Sequence, residues 1–144
     1  MYLTYNLSLV INKGKKMTTS KQIKSNISKE GKLSISIDEV EIPEPKEGEV
    51  LIKVQATPIN PSDLGLLVGP ADVSSLKVIE NGALVEMQVP EGLIRSVAAR
   101  FDQNLPVGNE GAGIVEAAGK GAEHLIGKVV GVAGGAMYSE YRCL

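Results

Sequence analysis

Two prolines three positions apart, Pro58 and Pro61, cut the chain at a change of period. Before them Val50, Ile52, Val54 and Ala56 alternate with Leu51, Lys53, Gln55 and Thr57, the period of a strand with one face turned to a core. Pro58 has no N–H to give to a ladder, so the strand stops there. Pro61 suits the first position of a helix, which makes Asn60 its N-cap and puts Asp63 in the first turn, near the positive end of the dipole. A strand running into a helix through a polar corner is a geometry that faces such groups toward a cleft.

A second stretch, Pro106-Val107-Gly108-Asn109-Glu110-Gly111-Ala112-Gly113-Ile114-Val115-Glu116, sets two polar side chains, Asn109 and Glu110, ahead of an apolar run. Its glycines tolerate positive φ and admit another backbone or a ligand at close range. The remaining pattern is mostly of strands. Gln22–Ile27 and Lys32–Asp38 flank Lys29-Glu30-Gly31, and Leu33, Ile35 and Ile37 share one face, which predicts a hairpin. Pro43 to Gly48 is a breaker cluster, and strands are expected over 113–118, 128–132 and 137–144. Ser74–Ile79 reads as a strand or a helical turn, Asn81-Gly82 as a turn, and Met87–Pro90 as a short extended piece. Leu93, Val97 and Phe101, spaced by four, predict an amphipathic helix over 92–101.

Charge and cysteine content narrow the classes of function. With 15 basic and 17 acidic residues and no basic tract beyond Lys13-Gly14-Lys15-Lys16, there is no electrostatic footprint for nucleic acid. The single cysteine excludes an internal disulfide, and the single histidine cannot make a zinc site by itself, counts that fit a cytoplasmic protein. Cys143 is expected to be a buried small hydrophobe and His124 to lie in an exposed turn. At 144 residues the chain is one domain. Met1–Ile11 is too short an apolar run to span a bilayer, and its charges follow it instead of preceding it as in an export signal. Residues 1–16 are expected to be an extension upstream of a more ordinary start at Met17, the alternative being an extra edge strand.

The Lys46–Ala56 strand, the Asn60-Pro61-Ser62-Asp63 element, the Gly108–Gly113 turn and the closing Gly134-Gly135-Ala136-Met137-Tyr138-Ser139-Glu140-Tyr141 stretch occur in an order and separation that resemble the medium-chain dehydrogenase/reductase superfamily. The resemblance runs from Gly31 to Leu144. It is to the N-terminal GroES-like domain, in the zinc-free, quinone oxidoreductase-like branch. It implies a mainly β fold, a partly open GroES-like β-barrel with short helices, truncated before a Rossmann domain. Residues 17–144 are then the substrate domain, and the dinucleotide-binding domain is absent from the chain. No strand here leads into Gly-x-Gly-x-x-Gly: Gly111-Ala112-Gly113 runs on into Ile-Val-Glu, and Gly131-Val132-Ala133-Gly134 lacks the spacing.

The resemblance also implies an activity, hydride transfer from NADPH or NADH to a quinone, enone or aldehyde. Asn60, Pro61 and Ser62 would meet the nicotinamide end of the cofactor, Asn60 and Asn109 would be the catalytic pair with Asn109 donating to the substrate carbonyl, and Asp63 and Glu110 would support them. Zinc-dependent relatives carry a cysteine and a histidine where this chain has Asn60 and Asn109, so no zinc is expected. Plainer roles remain open: Asn60 as an N-cap only, Asn109 as a turn residue beside glycine. A tyrosine proton donor, used by some relatives, is not evident at the Asn60 helix. Residues 70–104 are longer than a plain quinone reductase needs and are expected to be a surface excursion. Strands 128–132 and 137–144 are expected to leave an open edge that favours a homodimer or self-association, with no nucleic-acid or membrane partner. The alternatives are a stand-alone GroES-like, co-chaperonin-like module and a fragment of a zinc alcohol dehydrogenase.

Overall fold

The computed structural model describes residues 19–79 and 84–144. The expectations for residues 1–16 and for the Asn81-Gly82 turn lie outside the described residues.

The predicted hairpin forms and is longer than its alternating core: β1 (Thr19–Ile27) pairs antiparallel with β2 (Lys32–Glu41) in a continuous register from Thr19 opposite Glu41 to Ile27 opposite Leu33. Gly31 closes it with φ +77°. β3 (Val50–Ala56) ends before Pro58 and leads into α1 (Pro61–Leu67). Next come β4 (Asp72–Ile79), β5 (Leu84–Gln88), a 3-10 helix (Glu91–Arg100), β6 (Leu105–Pro106) and β7 (Glu110–Ala118). A short 3-10 turn (Glu123–Leu125), β8 (Val129–Ala133) and β9 (Tyr141–Cys143) complete the chain.

These strands make two antiparallel sheets, one in the order β4-β5-β2-β1-β6 and one in the order β8-β7-β3-β9. Neither sheet closes on itself. Each has its own apolar core: Ile27, Leu33, Met87, Val89 and Val97 under the first, and Val50, Ile52, Val115 and Ala122 under the second. The stretch Tyr138–Glu140 links them. Ile23 N–H donates to Tyr138 O at 2.8 Å and Glu140 N–H to Lys21 O at 3.0 Å, while Val54 N–H from the other sheet donates to Glu140 O at 2.9 Å. The strand expected over 137–144 is therefore regular only at Tyr141–Cys143, because its first half turns aside to pair with β1. β8 and β9 are the two outer strands of their sheet, as expected.

Two readings of residues 70–104 need correction. The segment is not a surface excursion: β4 and β5 extend the first sheet beside β2, and Val97 is buried in the first core. The helix after Pro90 is also not an α-helix. With three residues per turn, positions four apart no longer align, and the inward row becomes Ile94, Val97 and Arg100. Ile94 packs against the core, as does Phe101 just past the helix, whereas Leu93 is left 45% exposed. Ser74–Ile79 resolves as strand, and β6, a two-residue strand on β1, gave no periodic signal.

Candidate active site

The polar corner is built on a buried carboxylate. Asn60 has the extended backbone of an N-cap (φ −89°, ψ 157°), Pro61 opens α1, and Asp63 is 1% exposed. Asp63 Oδ2 accepts the Asn60 N–H at 2.8 Å, reaching back across the first turn as a capping residue does. Its Oδ1 accepts the Asn109 N–H at 3.0 Å, so one side chain holds the backbones of both motifs. An aspartate is almost never this buried unless paired or bonded, and both oxygens are satisfied here.

Side chains above Asp63 close the junction. Asn60 Nδ2 donates to Glu110 Oε1 at 2.7 Å and Asn109 Nδ2 donates to Ser62 Oγ at 3.0 Å. An ionised carboxylate only accepts, so the Glu110 contact orients the Asn60 amide with its nitrogen toward β7. Thr57 Oγ1 donates to Glu110 O at 2.7 Å, tying the end of β3 to the start of β7. Structure thus brings together all the residues singled out in the two motifs, Asn60, Ser62, Asp63, Asn109 and Glu110, with Pro61 exposed at the helix start. Ser62, Asn109 and Glu110 face solvent, Asn60 is half-buried, and the exposed Ile59 and Leu64 flank the cluster with apolar surface.

The three glycines of the second motif serve the chain's own packing. Gly108 has φ +98°, and a Cβ there would lie 2.5 Å from Tyr138 N. A Cβ on Gly111 would lie 2.9 Å from Ala56 O, and one on Gly113 would collide with Lys53 O. The smallness of Gly111 and Gly113 lets β7 lie against β3 where the register between them slips, and that of Gly108 lets the turn pass against Tyr138.

Tyr138 belongs to the site and was not foreseen. It is buried, and its OH donates to Pro58 O at 3.0 Å, steadying the approach to Asn60. Burial raises the phenol above its ordinary range, and the Asp63 carboxylate raises it further. Nothing adjacent to Asn60 in the sequence signals it, because this tyrosine arrives from the crossing segment, 78 positions after Asn60 (138 − 60). Cys143 is only partly buried; its Sγ donates to Glu49 Oε2 at 3.6 Å, and burial and that carboxylate raise the thiol, which opposes thiolate chemistry. His124 is exposed in the Glu123–Leu125 turn, as expected.

Comparison with known proteins agrees with this architecture. Residues 46–143 match the alcohol dehydrogenase GroES-like domain. Over 36 residues the chain is 58% identical to a zinc-type alcohol dehydrogenase-like protein of Schizosaccharomyces pombe, a match covering 25% of this chain and 11% of that protein. Among solved structures, a putative NADPH:quinone reductase from Bacillus thuringiensis superposes with a TM-score of 0.56 at 24% identity, covering 89% of this chain and 31% of the other. The corresponding figures for a putative NADPH:quinone reductase from Mesorhizobium loti are 0.53, 20%, 90% and 35%. For the human synaptic vesicle membrane protein VAT-1 homolog-like protein they are 0.54, 22%, 88% and 33%. At these identities the likeness is one of fold, and the chain spans about a third of the length of each of these structures. With the family match covering most of the sequence and the two-sheet fold recurring in these structures, the chain belongs to the alcohol dehydrogenase GroES-like domain family.

Proposed function

We propose that residues 17–144 form the substrate-facing domain of a zinc-independent, nicotinamide-dependent oxidoreductase that reduces a quinone, an enone or an aldehyde. The observation that carries this reading is that one buried carboxylate, Asp63, holds the backbone N–H groups of both Asn60 and Asn109, which sets the two asparagines at one corner. A bound NADPH or NADH would supply the hydride. The Asn60 amide, oriented by Glu110, is placed to hold the nicotinamide end together with Pro61 and Ser62. Asn109 Nδ2 spends one hydrogen on Ser62 and keeps a second to donate to the substrate oxygen as negative charge develops there. Asp63 is committed to two N–H groups, the Tyr138 hydroxyl to Pro58 O and Glu110 to the Asn60 amide, which leaves solvent to supply the proton that completes the reduction.

Zinc does not suit these residues. Of the two carboxylates at the corner, Asp63 has both oxygens engaged by backbone N–H groups, and Glu110 alone with two amides and a hydroxyl is a poor donor set beside thiolate and imidazole. Elemental analysis of purified protein is expected to find no stoichiometric zinc. One zinc per chain would favour the alcohol dehydrogenase alternative.

These 144 residues hold no Gly-x-Gly-x-x-Gly fingerprint after a strand, so the chain alone is expected to show no NADPH-dependent quinone reduction. The direct test of the site is a titration of the ¹⁵N-labelled chain with reduced nicotinamide mononucleotide and then with duroquinone. Saturable shifts at the side-chain amides of Asn60 and Asn109 are expected. No shift at millimolar ligand, or shifts confined to another face, would overturn the assignment. Turnover of quinone by the chain alone would overturn the placement of cofactor binding elsewhere. Among the described residues no helix is long and apolar enough to cross a membrane.

A further inference from the structure

α1 is only seven residues long, and its far end is held by a side chain from the segment between the two motifs. The last carbonyls of a helix have no partner within it. Leu64 O is taken by Val68 N–H at 2.9 Å and Gly69 N–H at 2.8 Å, and Val68 O by Ala71 N–H at 2.9 Å. The next two carbonyls are taken from outside: Arg100 Nη1 donates to Gly65 O at 3.2 Å and Nη2 to Leu66 O at 3.0 Å. Nη2 also reaches Ser25 Oγ at 3.3 Å, and the buried Ser25 hydroxyl itself donates to Leu66 O at 2.6 Å. The last turn of α1 has no basic residue of its own, so Arg100 is the cation at the negative end of its dipole. Arg100 Nε is buried without a partner among the described residues, so the guanidinium keeps its grip on the two carbonyls at the cost of its third donor.

We propose that Arg100 is a positioning residue for the candidate site: it pins the C-terminal end of α1 to β1 and thereby sets where the N-terminal end presents Asn60, Ser62 and Asp63. The geometry is specific to a planar fork, with two donors on successive carbonyls and a serine bonded to one of them. The 3-10 winding of Glu91–Arg100 is what aims it, since Arg100 follows Val97 and Ile94 on the inward row. Arg100 thereby acts on the site without reaching it. This inference rests on the functional reading above for the site's meaning, but its test does not.

The test compares the ¹⁵N-labelled full chain with Arg100→Met, Arg100→Lys and Val97→Ala, without ligand. Arg100→Met removes the fork at nearly constant length. Its Val68 and Gly69 amides are expected to exchange roughly tenfold faster, and the Asn60 and Asn109 side-chain amide signals are expected to move. Arg100→Lys, able to reach one carbonyl, is expected to restore part of both. Val97→Ala weakens the same core but keeps every Arg100 donor to α1, so it is expected to lower Tm and leave the two asparagine signals in place. Unmoved Asn60 and Asn109 signals in Arg100→Met, or equal movement in Val97→Ala, would overturn the proposal. Should Arg100→Met not fold, Ser25→Ala, which removes the companion bond to Leu66 O, takes its place with the same two expected outcomes. A parallel titration with reduced nicotinamide mononucleotide reports the functional reading separately.

Discussion

Replacing Asp63 with asparagine tests the physical centre of the site. The aspartate accepts N–H groups at 2.8 and 3.0 Å from Asn60 and Asn109 and is sealed from solvent. A hydrogen bond to a charged group contributes about 1.5–3 kcal/mol, and a buried donor left without an acceptor costs a comparable amount. Asparagine keeps the shape and one acceptor oxygen but sets an NH₂ against one of the two N–H groups. One charge-assisted bond is lost, one buried donor is orphaned, and the surviving bond is weakened to a neutral one. The expected loss is about 3 kcal/mol, less than the sum of the separate penalties because the corner can relax. In a domain of this size that corresponds to a fall in Tm of roughly 10 °C. Urea unfolding followed by circular dichroism gives the difference directly if the slope with denaturant is unchanged. Hydrogen exchange at the Asn60 and Asn109 amides shows which end let go. A loss below about 1 kcal/mol with an unchanged slope would refute the view that one carboxylate joins the two motifs.

Other positions give sharper contrasts. Gly113→Ala drives a methyl into Lys53 O and should destabilise by about 3 kcal/mol, whereas Gly131→Ala on β8, where a Cβ meets nothing, should stay within about 0.5 kcal/mol; equal effects in chemical denaturation would mean that β7 and β3 are less closely apposed. Gly65→Ala also enters open space, inside α1, and should stabilise by about 0.5–1 kcal/mol; a loss in the same assay would count against α1 being a regular helix. Because the folded state raises the Tyr138 phenol above its unfolded value, that contribution is fully present below about pH 10 and is lost as pH rises through the raised folded value. Tyr138→Phe should therefore flatten the alkaline side of the stability curve, and an unchanged slope would contradict the buried placement. The open edge of β8 ends in Val129, 77% exposed, so the chain is expected to self-associate as its concentration rises and Val129→Lys to weaken that association in sedimentation velocity; a monomer at all concentrations, with or without the substitution, would remove the edge argument.

Sequence by itself determined what is decided within a few residues. Pro58 ends β3 and Pro61 starts α1 because a proline ring fixes φ and lacks a donor whatever surrounds it, and Asn60 and Asp63 cap the helix across a single turn. The β1–β2 hairpin was legible for the same reason: its alternation and its glycine lie in one continuous stretch. Tertiary structure decided whatever depends on a distant partner. Nothing in the first motif says that Asp63 will also take the amide of Asn109, 46 positions later, or that Tyr138 will come to rest beside it. The spacing of Leu93, Val97 and Phe101 fits an α-helix, yet the core beneath takes Ile94 in place of Leu93 beside Val97 and Phe101, and α1 offers Arg100 two carbonyls. Periodicity records which faces a segment could bury; only the surface it lands on selects the winding that does so.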